Sequence, residues 1–251
     1  MPIVNAIYIM WLREVLRFFR SRSRIVGALG QPLLFLLALG YGLGPIFQAA
    51  GQGSYIEFLA PGIIGMAIIF TAIFNGMQII WDRQFGFLKE TLVAPVPRLA
   101  IMLGRTLGGA TVASLQGCFV LVLTLFVGFH PVSWPLVIPA ILVMLLVASL
   151  FSALGMTVAS LLSDMQGFQL IMNFLVMPLF FLSGAIFPLK DAPGVLVTIA
   201  RFDPLAYGID AMRLFLIDSS QFGLALDLSV LALVTAFFLG LGSYFFSRIQ
   251  I

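Results

Sequence analysis

Long apolar runs separated by short polar stretches set the plan of this chain. Six such runs cover residues 25–47, 58–81, 106–129, 136–162, 169–187 and 224–246. Each holds about 20 residues or more, enough as a helix to cross a hydrocarbon core of about 30 Å. Nowhere do apolar and polar residues alternate with a period of two, as barrel strands require. The pattern predicts an all-α polytopic membrane protein, one transmembrane domain over residues 1–251 with six spans.

The polar stretches orient those spans. In residues 2–24, Val4, Ile7, Tyr8, Trp11, Val15, Phe18 and Phe19 recur at three- and four-residue steps, with Arg13, Glu14, Arg17 and Arg20 largely opposite them. That spacing predicts an amphipathic helix suited to the membrane interface. The plainer reading makes it the polar end of the first span. Between spans two and three, residues 82–105 carry Arg83, Lys89, Arg98 and Arg105. Cations beside spans are retained in the cytoplasm, so this loop fixes the orientation of its neighbours. A helical pattern continues through Phe85, Leu88 and Leu92 until Pro95 and Pro97 stop it. The expected result is a short amphipathic helix in the cytoplasm with Lys89 and Glu90 exposed, where a soluble partner could grip. Five N-terminal arginines, four loop cations and Arg248 then lie inside, against Lys190, Arg201 and Arg213 outside, which places both termini in the cytoplasm.

Composition agrees with this picture. Of 251 residues, 61% are hydrophobic and only 9% charged, against about 25% charged in soluble domains. The formal charge of +3 follows from orientation and gives no reason to expect nucleic acid. The single Cys118 excludes a disulfide framework and a cysteine metal site. The lone His130, in the turn between spans three and four, has no second histidine to complete a metal site. The N-terminus lacks a short apolar core followed by a small-residue cleavage site, so it is expected to stay in the cytoplasm.

Three regions carry chemistry. In span two, Thr71, Asn75 and Gln78 recur at i, i+4 and i+7. A polar stripe deep in an apolar helix seeks partners inside the bundle. It serves either interhelical hydrogen bonding or a substrate path. In span five, Asn173 lies one turn before Met177-Pro178, followed by Phe180 and Phe181. The proline should loosen the helix. The soft aromatic surface suits a poorly polar substrate or ordinary packing. In residues 188–223, Asp191 precedes Ala192-Pro193 and Asp203 precedes Pro204. Aspartate caps with proline in the first turn predict two external helices, 192–201 and 204–217. The second puts Tyr207, Asp210 and Arg213 on one face, with Asp210 and Arg213 spaced to pair. Leu205, Ile209, Met212 and Leu216 form its apolar face. Too short to cross, these helices should lie on the outer leaflet or dip into it as re-entrant elements; the plainer reading is an external cap with a structural ion pair.

Other chemistry is missing from the sequence. There is no Gly-x-x-x-x-Gly-Lys-Ser/Thr motif, and neither Lys89 nor Lys190 follows a glycine. No His-Glu-x-x-His, Cys-x-x-Cys or Gly-x-Ser-x-Gly occurs. The acids Glu57, Asp164 and Asp227 sit near span ends, not at mid-depth where an ion-coupled carrier needs them. No inverted repeat of the secondary-transporter kind stands out.

Several stretches, in order along nearly the whole chain, resemble type 2 ABC exporter permeases. Gly86-Phe87-Leu88-Lys89-Glu90-Thr91-Leu92-Val93-Ala94-Pro95 is similar to their cytoplasmic-loop motif. Phe58-Leu59-Ala60-Pro61-Gly62 is similar to the start of their second span. Residues 173–188 and the run from Asp203-Pro204 through Tyr207 and Asp210 to Arg213 resemble their C-terminal signature. The likeness is strongest to the bacterial drug-resistance and lipo-oligosaccharide branch and weaker to the polysaccharide-export branch. It implies a permease subunit, not itself an enzyme, in the plasma membrane of a prokaryote. A second permease protomer, in a homodimer, and two copies of a separate P-loop ATPase subunit, which holds ATP and magnesium, are implied with it. Gly86 to Leu92 would form the coupling helix, and residues 2–24 a connecting helix. Asn75, Gln78, Asn173, Met177 and Phe181 would line the path between protomers, under the external helices 192–217. The implied activity is export of a hydrophobic or amphipathic compound. A polysaccharide or glycolipid exporter of the same architecture, an ATP-independent carrier or channel and a membrane-embedded enzyme are the competing readings.

Overall fold

The structure, a computed structural model, describes residues 2–51, 53–87 and 96–248, without the side chains of Pro2, Arg24 and Asp191. The elements are helices α1 (Pro2–Arg20), α2 (Arg22–Ala49), α3 (Tyr55–Asn75), α4 (Met77–Gln84), α5 (Arg98–Val127), α6 (Val137–Leu161), α7 (Met165–Leu182), α8 (Gly194–Ala200), α9 (Pro204–Ile217) and α10 (Leu224–Ser247). Short 3-10 turns precede α6 and α8. Among the described residues there is no strand. Six helical stretches are long and apolar enough to cross a membrane: Ile25–Ala49, Tyr55–Gln84, Arg98–Val127, Trp134–Leu161, Met165–Leu182 and Leu224–Ser247. They are the six expected spans, with boundaries shifted by a few residues.

The core is formed by α3, α5 and α6. Ile63, Ile64, Ile68 and Ile73 of α3 are fully enclosed, as are Val147, Leu150 and Phe151 of α6. Span two is made of α3 and α4, which meet at Gly76, whose φ of −57° and ψ of −30° stay helical. Gly76 is also the point of a close crossing. A Cβ on Gly76 would lie 2.5 Å from the carbonyl carbon of Gly155, so the two glycines let the backbones touch where side chains would hold them apart. Helices α2, α7 and α10 pack around this centre and leave apolar faces outward, including Leu34, Phe174 and Phe237. Such faces are stable in hydrocarbon, where leucine loses nothing by exposure.

Helix α1 is amphipathic as expected, but part of its charged side turns toward the protein. It lies along α5, where Gly104 and Gly108 admit Ile7 and Glu14 closely. The Trp11 indole donates to Thr111 at 3.0 Å. Glu14 is buried, while Val4, Tyr8 and Phe19 are exposed. Arg13 and Glu14 thus turn toward the protein beside Ile7, Trp11 and Phe18, while Arg20 is exposed with Val4, Tyr8 and Phe19.

The region between spans five and six also differs from expectation. Helix α8 begins at Gly194 with Pro193 at its cap position, so Asp191, expected there, lies two residues before it at the end of a 3-10 turn. Asp203 does cap α9, accepting from the Leu205 amide at 2.8 Å. Helix α9 does not lie loosely on the surface. It is wedged against α3, α6 and α10, with Leu205, Ile209, Met212 and Leu216 fully enclosed.

Candidate functional site

At the foot of span two, α4 carries Asp82 inward. Its carboxylate accepts from the Arg105 guanidinium and from Arg13 Nη2 at 3.3 Å. Arg13 also reaches Glu14 at 3.3 Å, and Glu14 lies 3.9 Å from Arg17. Arg17 donates to the side-chain oxygen of Gln78. Three guanidinium groups and two carboxylates thus join α1, α3–α4 and α5 in one cluster. Arg105 is the inner end of it, held by Asp82 and fully enclosed. Its expected place was the cytoplasmic loop; instead α5 begins at Arg98 and carries it into the bundle. The sequence contained a signal for this. Arg105 sits within a run of apolar residues and glycines, Leu99 to Ala110, that continues the helix of span three without a break.

Below the cluster, α4 ends at Gln84. Gly86 then turns the chain with φ of +80°, a conformation that glycine adopts without strain. Of the expected coupling residues, Gly86 and Phe87 follow α4 directly; Leu88, Lys89, Glu90, Thr91, Leu92 and Pro95 lie outside the described residues. The structure therefore fixes where that segment starts and where it returns, at Val96 and Pro97.

The polar stripe of span two does not act as one surface. Thr71 borders a crevice beside α1 and α2. Asn75 is buried over Gly109 beside Ser152, with its Nδ2 unpaired. Gln78 receives Arg17. In α7, Asn173, Met177 and Phe181 are exposed on one side. Phe180 points inward instead and meets Phe35 edge to face, with ring centroids 6.4 Å apart.

At the opposite end of span two, the signature residues of α9 anchor the fold. Pro204 occupies the first turn behind its Asp203 cap. The Tyr207 hydroxyl donates to the Arg201 carbonyl at 2.7 Å, and burial raises its pKa. Asp210 and Arg213 do not form the expected ion pair. Asp210 accepts from the Ser220 hydroxyl and from the amides of Gln221 and Phe222, each at 2.9 Å. Arg213 donates to the carbonyls of Gly184 at 2.9 Å, Ala185 at 3.2 Å and Phe58 at 3.3 Å. Its guanidinium stands 3.9 Å from the Phe58 ring centroid, a cation–π contact. Burial lowers the Arg213 pKa to about 10, though Asp210 nearby acts against that shift. The guanidinium thus ties α9 to the start of span two and to the end of span five.

Comparison with known proteins gives a consistent result. Residues 5–217 match the ABC-2 type transporter family. Nodulation protein J of Rhizobium leguminosarum bv. trifolii is 33% identical over 208 residues, 82% of this chain and 76% of that protein. Nodulation protein J of Sinorhizobium fredii is 29% identical over 238 residues, 93% and 90% of the two chains. The transport permease ycf38 of Pyropia yezoensis is 31% identical over 218 residues, 84% and 74%. With six spans, the matched domain and relatives covered over most of their length, this chain belongs to the ABC-2 type transporter family, as a multi-pass membrane permease subunit of the kind that works with an ATP-binding partner.

Proposed function

We propose that this permease exports a hydrophobic or amphipathic compound from the cytoplasm or inner leaflet of a prokaryotic plasma membrane, driven by two copies of a separate ATPase subunit. The observation that carries the reading is the link through Asp82. The segment expected to seat in the ATPase leaves α4 only a few residues beyond Asp82. Asp82 in turn holds Arg13 of α1 and Arg105 of α5. A push on residues 86–95 would therefore reach the connecting helix and spans two and three together. Buried ion pairs suit such a junction, because their geometry is specific and a broken pair is costly.

In this reading two copies of the chain face each other through spans two and five, with Asn173, Met177 and Phe181 toward the shared path. ATP-driven closure of the ATPase pair rocks the spans, and the α8–α9 region closes the far end. A polysaccharide or glycolipid cargo remains the second reading for the same architecture, since the residues facing the path do not choose between amphiphiles.

Affinity purification of the tagged chain from its native membrane, with mass spectrometry of its companions, tests the proposal. The expected result is a soluble P-loop ATPase that is lost on Leu92→Asp while the permease remains folded. A chain that purifies alone and passes solute into liposomes without ATP would replace the exporter by a carrier.

A further inference from the structure

Between α1, α2, α3 and α5 lies a crevice of about 200 Å³. Its walls include the rings of Phe18, Phe70 and Phe74, with Gln31 and Thr71 beside them. Gln116 of α5 also lines it and is fully enclosed. Neither Nε2 nor Oε1 of Gln116 has a hydrogen-bond partner. A buried amide in that condition is costly. A second polar feature faces the same space. Pro32 lies inside α2 and has no N–H to donate to the carbonyl of Ala28, four residues back; both residues line the crevice. Among the described side chains, none that lines it is charged.

We infer that this crevice is a binding site for an uncharged amphiphile that presents a hydrogen-bond donor and an acceptor, such as an amide or hydroxyl head, next to an apolar chain. The Gln116 amide offers N–H donors and a carbonyl acceptor, so a group with both roles can pair with each side of it. The aromatic walls take the adjoining apolar part. A charged head would be stripped of water and meet no counter-charge among the described lining side chains, so an uncharged head is the better fit. The crevice opens beside α2, whose outward face is apolar, so a ligand enters from the bilayer. The site stands on its own geometry and needs neither the ATPase nor transport.

The test uses the full chain reconstituted in nanodiscs. The probe is an N-acylethanolamine with a diazirine in its chain, and the control is the diazirine fatty acid of equal length, which is anionic. Expected is saturable labelling of peptides spanning 27–32 and 66–74 by the neutral probe and only background from the acid. Gln116→Leu lowers that labelling about tenfold, while its thermal midpoint holds or rises because an unpaired amide has been removed. Ala67→Phe, which fills the crevice, abolishes labelling independently. Equal labelling of wild type and Gln116→Leu, or equal labelling by the anionic probe, overturns the inference. So does a Gln116→Leu protein that unfolds at a markedly lower temperature, since the amide would then be structural. Two sources could supply the ligand. Mass spectrometry that finds a neutral lipid retained by wild type and not by Gln116→Leu supports the site with a bilayer lipid as occupant. No retained lipid, with probe displaced by exported compounds, supports it with the cargo as occupant.

Discussion

The Asp82 carboxylate meets the fully enclosed guanidinium of Arg105, joining the foot of span two to the start of span three. Arg105 Nε and Nη1 have no partner of their own, so Asp82 is what compensates this buried charge. Removing it should be far worse than removing both. Asp82→Ala is expected to destabilise the permease by about 3–5 kcal/mol. The double variant Asp82→Leu with Arg105→Met should recover most of that loss while disabling coupling to an ATPase. Thermal unfolding in detergent checks the first statement. A double variant as unstable as Asp82→Ala would mean that Arg105 stabilises through contacts other than this pair.

The Asp203 cap makes stability depend on pH. Its carboxyl is buried, and burial pushes its pKa up to about 7 from 3.8, against the opposing pull of the Leu205 and Ala206 amides. One oxygen caps α9 and the other has no partner. The folded state therefore holds a proton that the unfolded state has released. This contribution is complete below pH 3.8, falls as pH rises, and is lost above about pH 7. Asp203→Asn keeps a capping oxygen and has no charge to bury. Its stability relative to wild type should rise between pH 5 and pH 8, by a few kcal/mol at most. Parallel pH profiles for the two proteins would show the carboxyl to be solvated.

The same two sites show how far the sequence could be read. The cap at Asp203-Pro204 is a local device, set by residues that are neighbours in the chain, and it forms as the sequence predicts. The six spans were legible for a similar reason, since length and apolar content are summed over about 20 residues. Partner choice was not legible. Asp210 and Arg213 stand three residues apart, but each meets backbone groups from other segments: Gln221 and Phe222 for the acid, Gly184 and Ala185 for the base. Spacing alone cannot see those. The inward turn of part of the charged side of α1 was hidden likewise, because it depends on Asp82 and Arg105, far along the chain. Helical periodicity gives two faces and does not say which one meets protein.

Arg213 should tolerate no replacement that merely keeps its charge. Its guanidinium serves three carbonyls and also stacks on Phe58. A lysine has a compact head without the planar fork. Arg213→Lys is expected to cost about 1–3 kcal/mol and to loosen the contact of α9 with spans two and five. Hydrogen exchange of residues 184–185 and 205–213 is the direct readout. Unchanged protection there in the lysine variant would show that charge, not geometry, holds this end closed.

The crossing of Gly76 and Gly155 gives the last prediction, and a paired control makes it specific. A Cβ on Gly155 would press on the backbone of Ile73, 2.8 Å from its Cα. Gly155→Ala must therefore push span four away from the α3–α4 junction, at a cost of about 1–3 kcal/mol. Gly240 lies in α10 with nothing within 4 Å of the added carbon. Gly240→Ala should be neutral or stabilising by about 0.5–1 kcal/mol, because alanine is the better helix former. The two substitutions make the same chemical change in helices of the same protein, so their difference isolates the crossing. Thermal midpoints that move together would show the close approach to be dispensable. A fall at position 155 alone would fix the α3–α4 junction at Gly76 as a packed joint between the α9 anchor and the Asp82 cluster.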